Sequence, residues 1–182
     1  MRVIGIVGFP ASGKGEVAAV AGDLGIPVIV MGDVIREAIR EAGLPLTDEN
    51  MGATADRIRS EEGMDAIARR CIPLISSQKS NLVLIDGIRG DSEVRVFRSH
   101  FPDFILIGIV SSFDTRLRRM SSRGRSDDLT ERQDLLHRDQ RELSWGLGRA
   151  LACADIVVHN EESLESFRAE VRDLISGLLG VK

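Results

Sequence analysis

The chain has 182 residues, 43% of them apolar, enough for a well-filled core in one domain and too few for two. A formal net charge of −4 argues against bulk attraction to nucleic acid or to an anionic membrane, and no stretch approaches the ~20 apolar residues of a membrane span. Cys71 and Cys153 match no zinc or redox spacing, and Met1-Arg2 leads straight into an apolar run rather than a signal peptide, so a cytoplasmic protein is expected.

The first apolar run, residues 2–7, reads as a buried strand and is followed by Gly8-Phe9-Pro10-Ala11-Ser12-Gly13-Lys14-Gly15 and then a helical pattern over 16–24. A glycine-rich turn between strand and helix lets successive backbone N–H groups point at phosphate oxygens, with the lysine reaching the outer ones. Glycine serves there because the turn visits positive φ and the backbone must approach the ligand closely. Of the 24 basic residues only Lys14, Lys79 and Lys182 are lysines, and one of them falls where such a loop needs a compact charge.

Further strands are predicted at 27–30, 82–85, 104–110 and 155–158, each buried on both faces. Helical patterns fill 33–42, 49–62, 64–78, 92–100, 113–122, 131–150 and 161–178, with Thr130 opening the long helix and Asp91 and Asn160 as further caps. Strands alternating with helices imply a five-stranded parallel sheet sandwiched between two helical layers. About 50 residues separate the second strand from the third, more than one crossover helix needs. A helical insert over 33–80 is therefore expected on the substrate side, and the polar segment from Ser121 to Asp128 has the makings of a hinged lid.

Asp86, at the carboxyl end of the third strand, and Asp33, just after the second, are placed to hold Mg²⁺ directly or through its waters. Arg36 and Arg89 each follow one of these acids by three residues, and planar guanidiniums at two strand ends suit a phosphate gripped by paired bonds. Nine arginines lie between residues 116 and 149; Arg119 with Arg123, and Arg138 with Arg141, have spacings that share a helix face and call for an anion between them. Arg116, Arg118, Arg132 and Arg149 read instead as partners of nearby acids. His100, His137 and His159 are scattered and suggest no metal set, and Trp145 reads as a packing anchor.

The loop from Gly8 to Gly15, Gly32-Asp33-Val34-Ile35-Arg36, Asp86-Gly87-Ile88-Arg89 and the Arg119-to-Asp128 segment together resemble the nucleoside monophosphate kinases. Adenylate and cytidylate kinases are the nearest of these, and within them a group of archaeal adenylate-kinase-related proteins of undefined activity. The resemblance implies a P-loop NTPase fold spanning 1–182 as a single kinase domain, with the 33–80 insert binding the acceptor and a short lid at 119–130. It implies transfer of the γ-phosphoryl of ATP, with Mg²⁺, to a phosphorylated small molecule. Gly8, Phe9, Pro10, Ala11, Ser12, Gly13, Lys14, Gly15 and Glu16 would hold the nucleotide. Asp33, Arg36 and Arg89 would hold the acceptor, and Arg119, Arg123, Arg125, Arg138 and Arg141 would close over the transfer. The Asp155-to-Asn160 segment also resembles dephospho-coenzyme A kinases, which admits a larger acceptor.

The family places Ser/Thr directly after the loop lysine, or after an intervening glycine; here Gly15 and Glu16 follow, so the hydroxyl beside Mg²⁺ is missing. Met31 stands where adenylate kinases carry a threonine near the acceptor adenine. A second class of function stays open, a nucleotide-dependent switch or assembly factor with slow ATPase activity and a protein or RNA partner.

Overall fold

Six consecutive apolar or small residues after Arg2 make Arg2–Gly8 (β1) the central strand, with almost every side chain enclosed by a neighbouring strand or a covering helix. The computed structural model describes residues 1–121 and 132–180. Among these the chain runs from β1 through helix Lys14–Asp23 (α1), strand Val28–Val30 (β2) and helices Met31–Glu41 (α2), Asp48–Glu62 (α3) and Ala66–Ser76 (α4) to strand Leu82–Ile88 (β3). It continues through Asp91–His100 (α5), Phe104–Val110 (β4), Phe113–Ser121 (α6), Arg132–Ser144 (α7), Leu147–Ala152 (α8), Ile156–His159 (β5) and Leu164–Leu179 (α9).

The five strands pair in parallel in the order β2-β3-β1-β4-β5. Val17 and Val20 of α1 pack with Phe167, Val171 and Ile175 of α9 on one face, while Ile35, Ile58, Ile67, Cys71, Phe97 and Leu147 fill the other. The fold is thus the expected three-layer α/β sandwich. The chain leaves β1 toward β2 on one side and returns from β3 to β4 on the other. The crevice at the carboxyl ends of β1 and β3 is therefore a topological switch point, where α/β sheets bind ligands. The register places Asp86 beside both Ile6 and Val30, and a bulge at Gly87, at φ +99°, shifts the pairing so that Val7 faces Ile88.

Several local expectations are corrected. β5 is an edge strand, with Val157 left 49% exposed, so it is not buried on both faces. The single helix expected over 131–150 is two helices, because Gly146 at φ +101° turns the chain and lets Trp145 swing into the core at 8% exposure. An L side chain at Gly146 would also strike the Asp91 carboxylate. Ser163 rather than Asn160 caps α9, its Oγ accepting the N–H of Ser166, and Gly90 rather than Asp91 precedes α5. Thr130 lies outside the described residues. Within the 50-residue span, α4 packs against α5 and β2 as an ordinary crossover helix, while α2 and α3 lie over it toward the crevice.

Glu93, fully enclosed, holds this face together. Its Oε2 accepts the backbone N–H groups of Arg89 and Gly90 at 2.7 and 3.0 Å, and its Oε1 pairs with the buried Arg59 guanidinium of α3 at 2.9 Å. Arg59 in turn stacks over the Trp145 ring. One carboxylate thereby fixes the turn carrying Arg89 and ties it to α3 and to the α7–α8 corner. Removing it leaves the buried Arg59 cation without its counter-charge and the N–H groups of Arg89 and Gly90 without their acceptor. Glu93→Ala is expected to lower the unfolding free energy by ~3–5 kcal/mol, measured by urea denaturation; a loss under ~1 kcal/mol would show that water replaces the carboxylate freely.

Candidate functional site

The β1–α1 loop takes a shape that its sequence requires. Gly13 sits at φ +113°, where a side chain would collide with Asn160 and Phe167, and a Cβ on Gly8 would lie 2.6 Å from the Ile109 carbonyl. Ala11 adopts positive φ without being glycine, a sparsely populated conformation characteristic of ligand-binding turns. Because α1 starts at Lys14, the loop ends at a helix N-terminus whose N–H groups favour an anion.

The Lys14 ammonium, 8% exposed, donates to the carbonyls of Gly8 and Phe9 at 2.6 and 2.8 Å. Burial, and next the Arg89 guanidinium, lower its pKa to about 7. The loop is braced from behind. Asn160 donates its amide to the Ser12 carbonyl at 2.9 Å, and Arg119 donates to the Asn160 backbone and side-chain oxygens and to Ser111. Arg116 pairs bidentately with the buried Asp139 of α7 at 2.9 and 2.7 Å and reaches the Pro10 carbonyl, a structural link between α6, α7 and the loop.

In front of the loop, Lys14, Arg36, Asp86, Arg89, Arg138 and Arg141 line a single cleft, floored by Met31, Ile35, Met51 and Trp145. Arg89 Nη1 lies 3.0 Å from Glu142 Oε2, and Arg138 lies 3.3 Å from Asp48 and 3.6 Å from Glu142. Arg141 donates to Asp48 at 3.1 Å, lying flat on α3 over Gly52, where any Cβ would displace it. Asp48 thus straps the insert to α7, and Trp145 Nε1 adds a second tie to Asp56 at 2.6 Å. The enclosed space is about 140 Å³, below the ~300 Å³ at which small-molecule sites usually begin. A nucleotide-sized acceptor therefore requires α3 and α7 to part.

Among the described residues, seven buried side-chain polar atoms have no hydrogen-bond partner, and five of them line this cleft: Asp86 Oδ1, Arg89 Nη1, Arg138 Nε, Arg141 Nε and Glu142 Oε2. Such atoms are costly and scarce in folded proteins, and their concentration in one hollow marks a place built for a polar ligand. Other sequence-predicted residues fall elsewhere. Asp33 is 64% exposed and bonded to Arg36 at 2.5 Å, outside the cleft lining. Arg119 lies behind the loop, Glu16 lies within ion-pair reach of Arg168, and Arg123 and Arg125 lie outside the described residues. The sequence gives no sign of Asp48, Arg59 or Glu93 at the site, and marks Glu142 only as an acid near the arginines of 116–149. The four-residue spacing of Arg138 and Glu142 is a signal that was available; Asp48 had none beyond its place after the helix cap Thr47.

A parallel sheet in this order, with a glycine-rich loop leading from the central strand into a helix-borne lysine, defines the P-loop kinase type of α/β fold. Residues 7–134 match the family described as an AAA domain (AAA_17). A UPF0200 protein of Methanoregula boonei is 61% identical over 178 residues, spanning 98% of each chain. Among solved structures, shikimate kinase from Bacteroides thetaiotaomicron superposes with a TM-score of 0.64 at 15% identity, covering 99% of both chains. A gluconokinase from Sinorhizobium meliloti 1021 gives 0.60 at 20%, covering 97% of this chain and 93% of that one. At such identities the likeness establishes the fold. The chain belongs to the UPF0200 family of archaeal proteins, within the AAA_17 P-loop group. Among the described residues no helix is long and apolar enough to cross a membrane.

The lowered pKa of Lys14 makes stability depend on pH. Between about 7 and the ordinary 10.5 the unfolded chain keeps a proton that the folded chain has released. Stability due to this group therefore rises with pH across that window and is lost as pH falls through 7. Urea unfolding of the wild type and Lys14→Met should show the wild type gaining on the variant between ~pH 6.5 and ~pH 9; a constant difference would contradict the burial cost.

Proposed function

We propose that the protein is an ATP-dependent phosphotransferase that moves the γ-phosphoryl of ATP to a nucleoside monophosphate or similar phosphorylated small molecule. The observation that carries this reading is the single cleft in which the loop lysine meets three arginines with unsatisfied N–H groups. Phosphoryl transfer asks for little covalent help from a protein, only alignment of donor and acceptor and neutralisation of charge on the moving group.

In this reading the amides of Gly8 to Glu16 and the Lys14 ammonium hold the donor phosphates, and Lys14 gives up its two carbonyl partners to do so. Arg36 and Arg89 take the acceptor phosphate. Arg138 and Arg141 exchange the Asp48 carboxylate for phosphate oxygens as the cleft opens to admit the acceptor and then closes. Arg119 braces the loop, and the family resemblance assigns Arg123 and Arg125 to the closing lid. Closure excludes water that would otherwise hydrolyse ATP.

The residues fit Mg²⁺ in part. Asp86 Oδ1 is buried in the cleft without a partner and suits a hard, oxygen-liganded cation, while Asp33 is engaged by Arg36 and turned toward solvent. Among the described residues no three His, Cys, Asp or Glu side chains converge, consistent with a metal that draws most of its ligands from phosphates and water. Bound there, Mg²⁺ would offset charge on the donor phosphates. Gly15 supplies no hydroxyl, and an added Cβ there meets nothing within 4 Å, so water has room for that role.

The second reading, a nucleotide-dependent switch or assembly factor with slow ATPase activity, draws its support from Gly15 and Glu16. ADP formation measured with ATP, Mg²⁺ and, in turn, AMP, CMP, UMP, GMP, dCMP and dephospho-coenzyme A separates the two. Acceptor-dependent turnover is expected, and rates flat across the panel would rule out the kinase. Arg89→Ala should cost ~2–4 kcal/mol of transition-state stabilisation in acceptor kcat/KM with ATP affinity nearly unchanged; equal loss of ATP affinity would put Arg89 on the donor.

A further inference from the structure

Glu142 shares with Asp86 a buried cleft oxygen that lacks a hydrogen-bond partner, and Asp86 is the acid suited above to Mg²⁺. Glu142 projects from α7 at 2% exposure, with Oε2 3.0 Å from Arg89 Nη1 and Oε1 3.6 Å from Arg138 Nε. Yet Oε2 accepts no hydrogen bond, and both of those guanidinium nitrogens also end without an acceptor. The separations are those of ion pairs and the directions are not those of hydrogen bonds, so a lone pair of Oε2 remains available in a space that also holds Lys14 and Asp86. Asp48 is engaged by two arginines, and Asp33 is paired with Arg36 outside the lining.

A phosphate seated between Arg89 and Arg138 would lie against the Glu142 oxygens, and like charges a few ångströms apart in a buried site repel strongly. A hydroxyl meets no such conflict, because its hydrogen is what Oε2 lacks. We propose that Glu142 accepts the proton of an acceptor hydroxyl, so that the group phosphorylated is an alcohol of an anionic small molecule and not the phosphate of a nucleoside monophosphate. This rests on the reading of phosphoryl transfer from ATP to an anionic small molecule and departs from it in the accepting group, an alcohol in place of a phosphate. The acceptor's own anionic group would then be held by Arg36 and Arg141, and Arg89, paired with Glu142, would face the hydroxyl in place of the acceptor phosphate.

The step balances. The acceptor O–H bond breaks and its proton passes to Glu142 Oε2. The oxygen's electron pair forms the new bond to the γ-phosphorus while the bond from that phosphorus to the β,γ-bridging oxygen breaks, releasing ADP. Glu142 then returns the proton to solvent as product leaves, so the sum is ATP and an alcohol giving ADP, a phosphate monoester and one proton.

The test is product identity together with the amide variant. Wild type and Glu142→Gln are incubated with ATP, Mg²⁺ and, separately, glycerol 3-phosphate, dephospho-coenzyme A, AMP, CMP or no acceptor. Products are read by ³¹P NMR, which separates a new monoester from a new phosphoanhydride, and ATP affinity is measured by calorimetry. A monoester is expected, falling ~100-fold or more in Glu142→Gln, with ATP affinity within about twofold. A phosphoanhydride product, or a Glu142→Gln rate within about threefold of wild type, overturns the base assignment and leaves the kinase reading standing. ADP formation indifferent to every acceptor overturns both. Should Glu142→Gln fail to fold, the wild-type product class alone decides.

Discussion

A lysine ammonium packed beneath its own loop, bonded to the carbonyls of Gly8 and Phe9 and within the field of Arg89, is the constraint on which the site is organised. Neither carbonyl carries a full charge, so the desolvation of Lys14 is only partly offset, and its lowered pKa records the deficit. The position follows from topology. β1 is central in the sheet, its covering strands leave in opposite directions, and the lysine that opens α1 is held at the crevice they create.

Around that charge the protein arranges three arginines and three carboxylates in which few hydrogen bonds are fully made. Buried ion pairs seldom add much stability over apolar packing of the same volume, since each charge must first be taken out of water. Arg59 with Glu93, and Arg116 with Asp139, whose two Nη groups are both bonded while its Nε is not, fasten one element to another: the β3–α5 turn to α3, and α6 to α7. Arg89, Arg138 and Arg141 likewise each keep one nitrogen unbonded, and theirs line the hollow. The division separates cations that hold the scaffold from cations held ready by it.

The sequence made the scaffold legible because periodicity and composition are local. Five β-branched runs, the glycine-rich turn and the placement of Asp86 and Arg89 at one strand end were readable from neighbours within a few positions. Partners across the chain were not. Nothing near Glu93 says that it meets Arg59, and nothing near Asp48 says that it takes Arg138 and Arg141 from about 90 residues away, because ion-pair choice depends on how helices cross rather than on spacing along one of them. The break at Gly146 is hidden for a related reason: Leu143 and Leu147 keep a helical spacing across it, and only the tertiary demand to bury Trp145 exposes the turn. Asp33 shows the converse error of reach. Its place just after β2 points to the metal's water shell, but an aspartate and an arginine three apart on a helix can also satisfy each other, as these do.

The departure at Gly15 weighs on which function such a cleft supports. A nucleotide switch needs a loop that holds phosphates and an element that moves with them, and the loop, α6 and α7 would suffice for that. It has no evident use for a hollow beside Lys14 in which Arg89, Arg138 and Glu142 keep polar atoms unsatisfied, since each such atom lowers stability by an amount comparable to a lost hydrogen bond. A strap made from Asp48, at the start of α3, and arginines on α7 is also more than a donor site requires, because it spans the insert rather than the loop. These features fall into place if a second ligand enters between α3 and α7, displaces the carboxylate strap and supplies the missing hydrogen-bond partners. The hydroxyl lost at Gly15 then bears on how tightly the metal is held, and the cleft bears on what is phosphorylated.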